Sequence, residues 1–104
     1  MPLKVRVTRK PIIIKVKPHV KGVGSHPLVG APRHTILISA RMPKKWRKPL
    51  IFHEKHEYRS MKKGMPYKKA HRLADKAEKA KYFPNKSAWK KYMAKVYQIH
   101  RGGK

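Results

Sequence analysis

Between Phe52 and Lys79 the chain reads FHEKHEYRSMKKGMPYKKAHRLADKAEK, a segment that holds all four of its acids, Glu54, Glu57, Asp75 and Glu78, together with His53, His56 and His71. Imidazole nitrogens and carboxylate oxygens are ligands for zinc and similar ions. His53 and Glu57 lie four residues apart, as do His71 and Asp75, so each pair shares one face of a helix. A helical hairpin could then bring His53, Glu57 and His71 into one cluster with Asp75 or Glu78. The HExxH pattern of zinc proteases is not met, because Glu57 stands at the second histidine and His56 falls one position early. Two uses of the cluster follow. One is a metal site on His53, Glu57 and His71. The other is structural pairing inside a lysine-rich hairpin, for example Glu54 with Tyr58 or Arg59 and Glu78 with His71 or Arg72, each worth about 0.2–0.5 kcal/mol. Structural pairing is the expectation adopted, with no metal and no cofactor, since such clusters are more often structural than catalytic. No Gly-rich phosphate loop or nucleophile triad is present, so the chain is not read as an enzyme and no small-molecule substrate is expected.

The elements that would position these residues are helical. Leu50, Glu54, Glu57 and Met61 recur at helical spacing with Ile51 and Tyr58 alongside, Pro49 suits a first helical position, and Gly64 a stop. Pro66 opens a second helix on which Tyr67, Ala70, His71, Ala74, Ala77 and Glu78 share a face, and Pro84 closes it. Asn85 or Ser87 can cap a third, where Trp89, Tyr92, Met93 and Val96 follow the apolar spacing. Upstream, Leu3, Val5 and Val7 alternate with Lys4, Arg6 and Thr8, which predicts a strand with one face buried. Ile12, Ile13, Ile14 and Val16 form a second β-branched run that could close a short hairpin with the first, and residues 35–40 read as a third strand. Residues 17–34, with three prolines and three glycines, carry no regular pattern and are expected to be a long functional or disordered loop. The reading is therefore α+β: a small N-terminal β part of two or three short strands with a long basic loop (1–40), a basic connector (41–49), three helices (50–99) and a tail (100–104), in one small domain.

Charge indicates the partner. Twenty-nine Lys and Arg face four acids, for a net charge of +25 over 104 residues. Only a polyanion compensates such self-repulsion. Lysine is a point charge suited to phosphate rather than to base edges. The basic residues are spread over every segment, which suits a protein packed inside folded RNA better than a reader of one DNA groove. Candidate RNA contacts are Arg6, Arg9, Lys10 and Lys15 in and between the first two strand runs, and Lys17, Lys21 and Arg33 in the loop. The connector adds Arg41, Lys44, Lys45, Trp46, Arg47 and Lys48, the third helix Lys90 and Lys91, and the tail Arg101 and Lys104. Trp46, flanked by cations, is the candidate for base stacking, and His19, His26, His34 and His100, in loops or the tail, are read as RNA contacts. Cysteine is absent, which excludes disulfides and thiol-ligated zinc. No apolar run suits a membrane span or signal peptide, so an intracellular location is expected.

The basic arms, the scarcity of acids, the Pro/Gly-rich loop and the basic tail together resemble small ribosomal proteins as a class. That resemblance implies a structural protein that binds and bridges rRNA beside neighbouring ribosomal proteins, in a cytoplasmic or mitochondrial ribosome. One Asn and one Gln in the chain fit a thermophilic, archaeal source. The segment His53 to Ala74, H-E-x-x-E then G-x-x-Y-x-x-A-H-x-x-A, is also similar to a helical hairpin of phage and archaeal proteins, a likeness that carries no site with it. Two rival readings stand beside the ribosomal one: a DNA-packaging chromatin or virion protein, and a metal-dependent hydrolase built on the hairpin.

Overall fold

A computed structural model describes residues 2–15 and 20–101. Five short strands, β1 (Lys4–Thr8), β2 (Ile12–Ile14), β3 (Val20–Gly22), β4 (Gly24–Ser25) and β5 (Thr35–Ser39), precede a 3₁₀ turn at Lys44–Trp46. Helices α1 (Arg47–Lys62), α2 (Tyr67–Tyr82) and α3 (Lys86–His100) follow. The α+β class and the three-helix C-terminal part agree with the sequence reading. The strands differ from it in number and pairing. β1 does not fold back on β2; it runs parallel to β5 in register Val5 with Ile36 and Val7 with Ile38, while β4 pairs antiparallel with the other edge of β5. β2 instead pairs antiparallel with β3, and both β3 and β4 lie in the stretch read as an irregular loop. Glycine-rich composition concealed them: Gly22 lies against the Ile14 side chain and Gly24 against the Leu37 carbonyl, where a Cβ would approach within 3.1 Å of that oxygen. Their propensity is poor, but bare backbone is what these close approaches need.

β5 is the central strand. Ile36 and Ile38 are both 0 % exposed and meet Val23, Met42, Leu50, Phe83, Tyr92, Val96 and Ile99 in the core. Their register partners on the same face, Val5 and Val7, stay 44 % and 45 % exposed, so the buried face expected of β1 is not formed and this edge strand overhangs the core. The connector is tied down by Arg47, which donates from Nε to the Met42 carbonyl at 3.0 Å and from Nη2 to the Ala40 carbonyl at 3.2 Å. α1 accordingly starts at Arg47, two residues before the predicted Pro49; proline is tolerated in this first turn because the missing N–H has no helical acceptor there.

α1 and α2 form an antiparallel hairpin closed at Gly64, whose φ is 103°. Gly64 N–H donates to the Met61 carbonyl at 2.9 Å and Met65 N–H to the Ser60 carbonyl at 3.1 Å, the paired bonds of a Schellman closure. The facing surface of α2 is Ala70, Ala74 and Glu78, and the methyl-sized side chains admit the polar face of α1 at short range. Asn85 caps α3 by accepting from the Ser87 and Ala88 N–H groups. Trp89 and Met93, on the predicted apolar stripe, pack partly buried beside Tyr92 and Val96. The overhang of β1 gives a sharp contrast between register neighbours: Ile38→Ala is expected to lower unfolding stability by about 2–5 kcal/mol, and Val7→Ala by less than about 1 kcal/mol, in urea titrations.

Candidate functional site

The inward face of α1 begins with Leu50 and continues with His53, Glu54 and Glu57, all buried where an ordinary helix would present apolar residues. A cavity of about 500 Å³ opens beside them, lined also by Tyr67, His71, Asp75 and Glu78 from α2, by Tyr92, Val96 and His100 from α3, and by Val23 and Gly24. Every acid of the chain therefore borders one space. At its wall three donor atoms converge. His53 Nε2 lies 3.3 Å from His71 Nδ1 and 3.3 Å from Glu57 Oε2, and His71 Nδ1 lies 2.8 Å from that same oxygen.

Each of these groups is held from behind. His53 turns Nδ1 toward Glu78 Oε1 at 3.1 Å and Asp75 Oδ1 at 3.3 Å. Glu78 is fixed in turn by the Tyr92 hydroxyl, which donates to Oε2. Glu57 presents its second oxygen to His26 Nε2 at 3.0 Å. His26 Nδ1 accepts the Leu28 backbone N–H at 3.2 Å, so Nε2 carries the ring proton and donates to the carboxylate. His71 Nε2 stands 3.5 Å from Asp75 Oδ2.

Burial opposes ionisation of Glu57, but hydrogen bonds from His26, His53 and His71 outweigh it and hold its carboxyl well below the usual range. Burial likewise disfavours a charged His53, yet bonds to Glu57 and Glu78 reverse the balance and raise its pKa well above the ordinary value. Glu54 has only the nearby His53 charge to favour its ionised form, and that charge is outweighed. Burial first, and the neighbouring Glu57 charge second, push it up to about 8, and its Oε1 has no hydrogen-bond partner. The Tyr67 hydroxyl is raised by burial and by the nearby acids, as is that of Tyr92, while His100 is lowered by burial and by His71.

The predicted gathering of His53, Glu57, His71, Asp75 and Glu78 is thus present in the structure, with different pairings. Glu78 meets His53 and Tyr92 rather than His71 or Arg72, and among the described residues no acid pairs with a lysine or arginine. His26, read as an RNA contact, is fully buried, and His100 lines the cavity. The sequence signal for His26 was slight: Val23 and Val29, both buried, bracket it in a stretch otherwise without pattern.

Of the residues predicted to meet RNA, Arg6, Arg9, Lys10, Lys15, Lys21 and Arg33 are exposed on the β part. Arg41, Lys44, Lys45, Lys48, Lys90, Lys91 and Arg101 are exposed around the helices. Two groups form grooves. Arg9, Lys10, Lys21 and Arg41 border a small one beside β2, and Lys45, Trp46 and Lys91 border another of about 310 Å³ where the connector meets α3. Trp46 is half-buried, edge-on to Tyr92 at 5.8 Å with Lys45 Nζ 4.6 Å above its ring, and Arg47 is turned to backbone carbonyls. Lys17, His19 and Lys104 lie outside the described residues.

No protein-family model, curated protein or solved structure matches the chain. Among the described residues no helix is long and apolar enough to cross a membrane. The support beneath the cluster is open to direct measurement: Tyr92→Phe, which removes the donor to Glu78 while keeping the ring, is expected to reduce stability by about 1–3 kcal/mol, read from denaturant unfolding at pH 7.

Proposed function

We propose that this protein is a structural RNA-binding component of a ribosome, engaging rRNA through phosphate contacts on several sides. The observation that carries the reading is the separation of charge. Glu54, Glu57 and Glu78 are buried and Asp75 is half-buried at the cavity, so the surface bearing most of the 29 basic residues has almost no carboxylate to offset them. A monomer stable in isolation gains nothing from this arrangement, whereas phosphate neutralises it. The two basic grooves lie one on the β part and one on the helical part, which fits a chain that bridges RNA segments. Lysine predominates in both halves, so affinity should depend more on the shape of the RNA than on base identity.

Titration of a folded rRNA fragment and of duplex DNA of equal length, at several salt concentrations, tests this. If six to ten phosphates are engaged, RNA affinity falls about 10³- to 10⁵-fold between 50 and 200 mM salt. Lys45→Ala and Lys91→Ala are each expected to reduce the log–log salt slope by about 1 with the melting temperature unchanged. Co-sedimentation with ribosomal subunits through a high-salt wash is the second readout. A shallow salt slope with a strong preference for one DNA site would overturn the reading, and salt-sensitive binding that is tighter to duplex DNA of any sequence than to the rRNA fragment would replace it with a DNA-packaging protein.

A further inference from the structure

The RNA-binding reading uses the outer surface and leaves the polar cavity without a role. From its geometry we propose that His53, His71 and Glu57 form a binding site for one divalent transition-metal ion of the zinc class, with its remaining position turned toward the cavity. The inference is independent of what the outer surface binds.

Three observations carry it. The first is the triangle of His53 Nε2, His71 Nδ1 and Glu57 Oε2, with edges of 3.3, 3.3 and 2.8 Å. Ligand atoms about 2.0–2.2 Å from a tetrahedral ion stand roughly 3.3–3.6 Å apart. The three atoms therefore need move only a few tenths of an ångström to hold an ion just above their plane. Two imidazoles and one carboxylate also form a donor set that zinc accepts while keeping a position open.

The second observation is the arrangement behind the ligands. A histidine that binds a metal through one nitrogen commonly donates the other N–H to a carboxylate, which fixes its tautomer and direction. His53 does so toward Glu78 and Asp75, and His71 has Asp75 on its far nitrogen. Glu57 receives a hydrogen bond on the oxygen that points away from the triangle, from a His26 whose tautomer is set by the Leu28 backbone. Each ligand atom thus has a partner behind it on the same side chain, so release of the protons shared at the centre leaves lone pairs directed at the ion. Structural pairing explains the contacts through protons shared with Glu57, and a metal ion would take the place of those protons at the point where the three atoms converge.

The third observation is independent of the triangle. Glu54 is 5 % exposed, borders the same cavity, and leaves Oε1 without a partner. Its carboxyl is within 4.8 Å of a carboxylate oxygen of Glu57 and of a ring nitrogen of the supporting His26. An unpaired buried carboxyl oxygen costs stability in the metal-free chain, and an ion beside Glu57, or a water bound to it, would give that oxygen a partner. The open position would face Tyr67 and the cavity, where water or an oxygen ligand completes the coordination shell.

Purified full-length protein, stripped with EDTA and desalted, is titrated with zinc and analysed by elemental mass spectrometry after a second desalting. One equivalent is expected to remain bound and to raise the melting temperature. Cobalt(II) titration of the same wild-type protein gives an answer that no variant's folding can obscure: visible absorption of a low-coordinate ion, saturating at one equivalent and bleached by zinc. His71→Ala, at a side chain 43 % exposed, should lose more than about 100-fold in zinc affinity, and His26→Ala, which removes only a supporting bond, about 10- to 100-fold. His34→Asn, outside the cluster, should bind as wild type does. The proposal is overturned if no equivalent is retained and cobalt gives only the spectrum of the hexa-aqua ion, if His71→Ala binds unchanged, or if His34→Asn loses as much as His71→Ala.

Discussion

A buried carboxylate must be given hydrogen-bond donors or it will not stay buried, and the contact between α1 and α2 is built on meeting that demand for Glu57 and Glu78. Taking an ionised group out of water costs several kcal/mol even after relaxation, and both side chains are nearly inaccessible, at 2 % and 1 % exposure. The rest of the helical part is arranged around them. Ala70 and Ala74 keep α2 close enough for His71 to reach Glu57, Tyr92 brings a hydroxyl from α3 to Glu78, and His53 lies between the two acids. Leu50 and Phe83 then join the apolar core that seals this layer against β5.

The same demand accounts for the distribution of charge. A carboxylate paired with histidine inside the hairpin does not need a lysine, so the basic residues are left on the outside, where water or a polyanion solvates them. The two populations are held apart by covalent geometry. On α1, Lys48, Arg59 and Lys62 are exposed while Glu54 and Glu57 point inward, and on α2 Lys68, Lys69 and Arg72 are exposed while Glu78 is buried.

Helical spacing made much of this legible. The three helices, the inward face of α1, the small-residue face of α2 and the cap at Asn85 all follow from side-chain periodicity and from the placement of Gly64, Pro66 and Pro84. The meeting of His53, Glu57 and His71 also follows, because a hairpin with a short turn brings i, i+4 faces together. What was hidden depends on long-range pairing. Val5 and Val7 alternate as a half-buried strand should, but only the partner strand decides whether the core reaches beneath them, and it stops at β5. Gly22 and Gly24 read as loop residues because their role is to be small against a neighbour. His26 has no periodicity at all, being placed by a turn in which its own carbonyl accepts the Val29 and Ala31 N–H groups.

The bond from His26 to Glu57 spans 31 residues and joins the turn after β4 to the middle of α1. The helical hairpin is a local structure that itself supplies partners to one oxygen of its central carboxylate, but the other oxygen gains its partner only when this distant imidazole arrives. The N-terminal third thus supplies one of the three imidazoles that surround Glu57, which couples docking of the strands to closure of the helices.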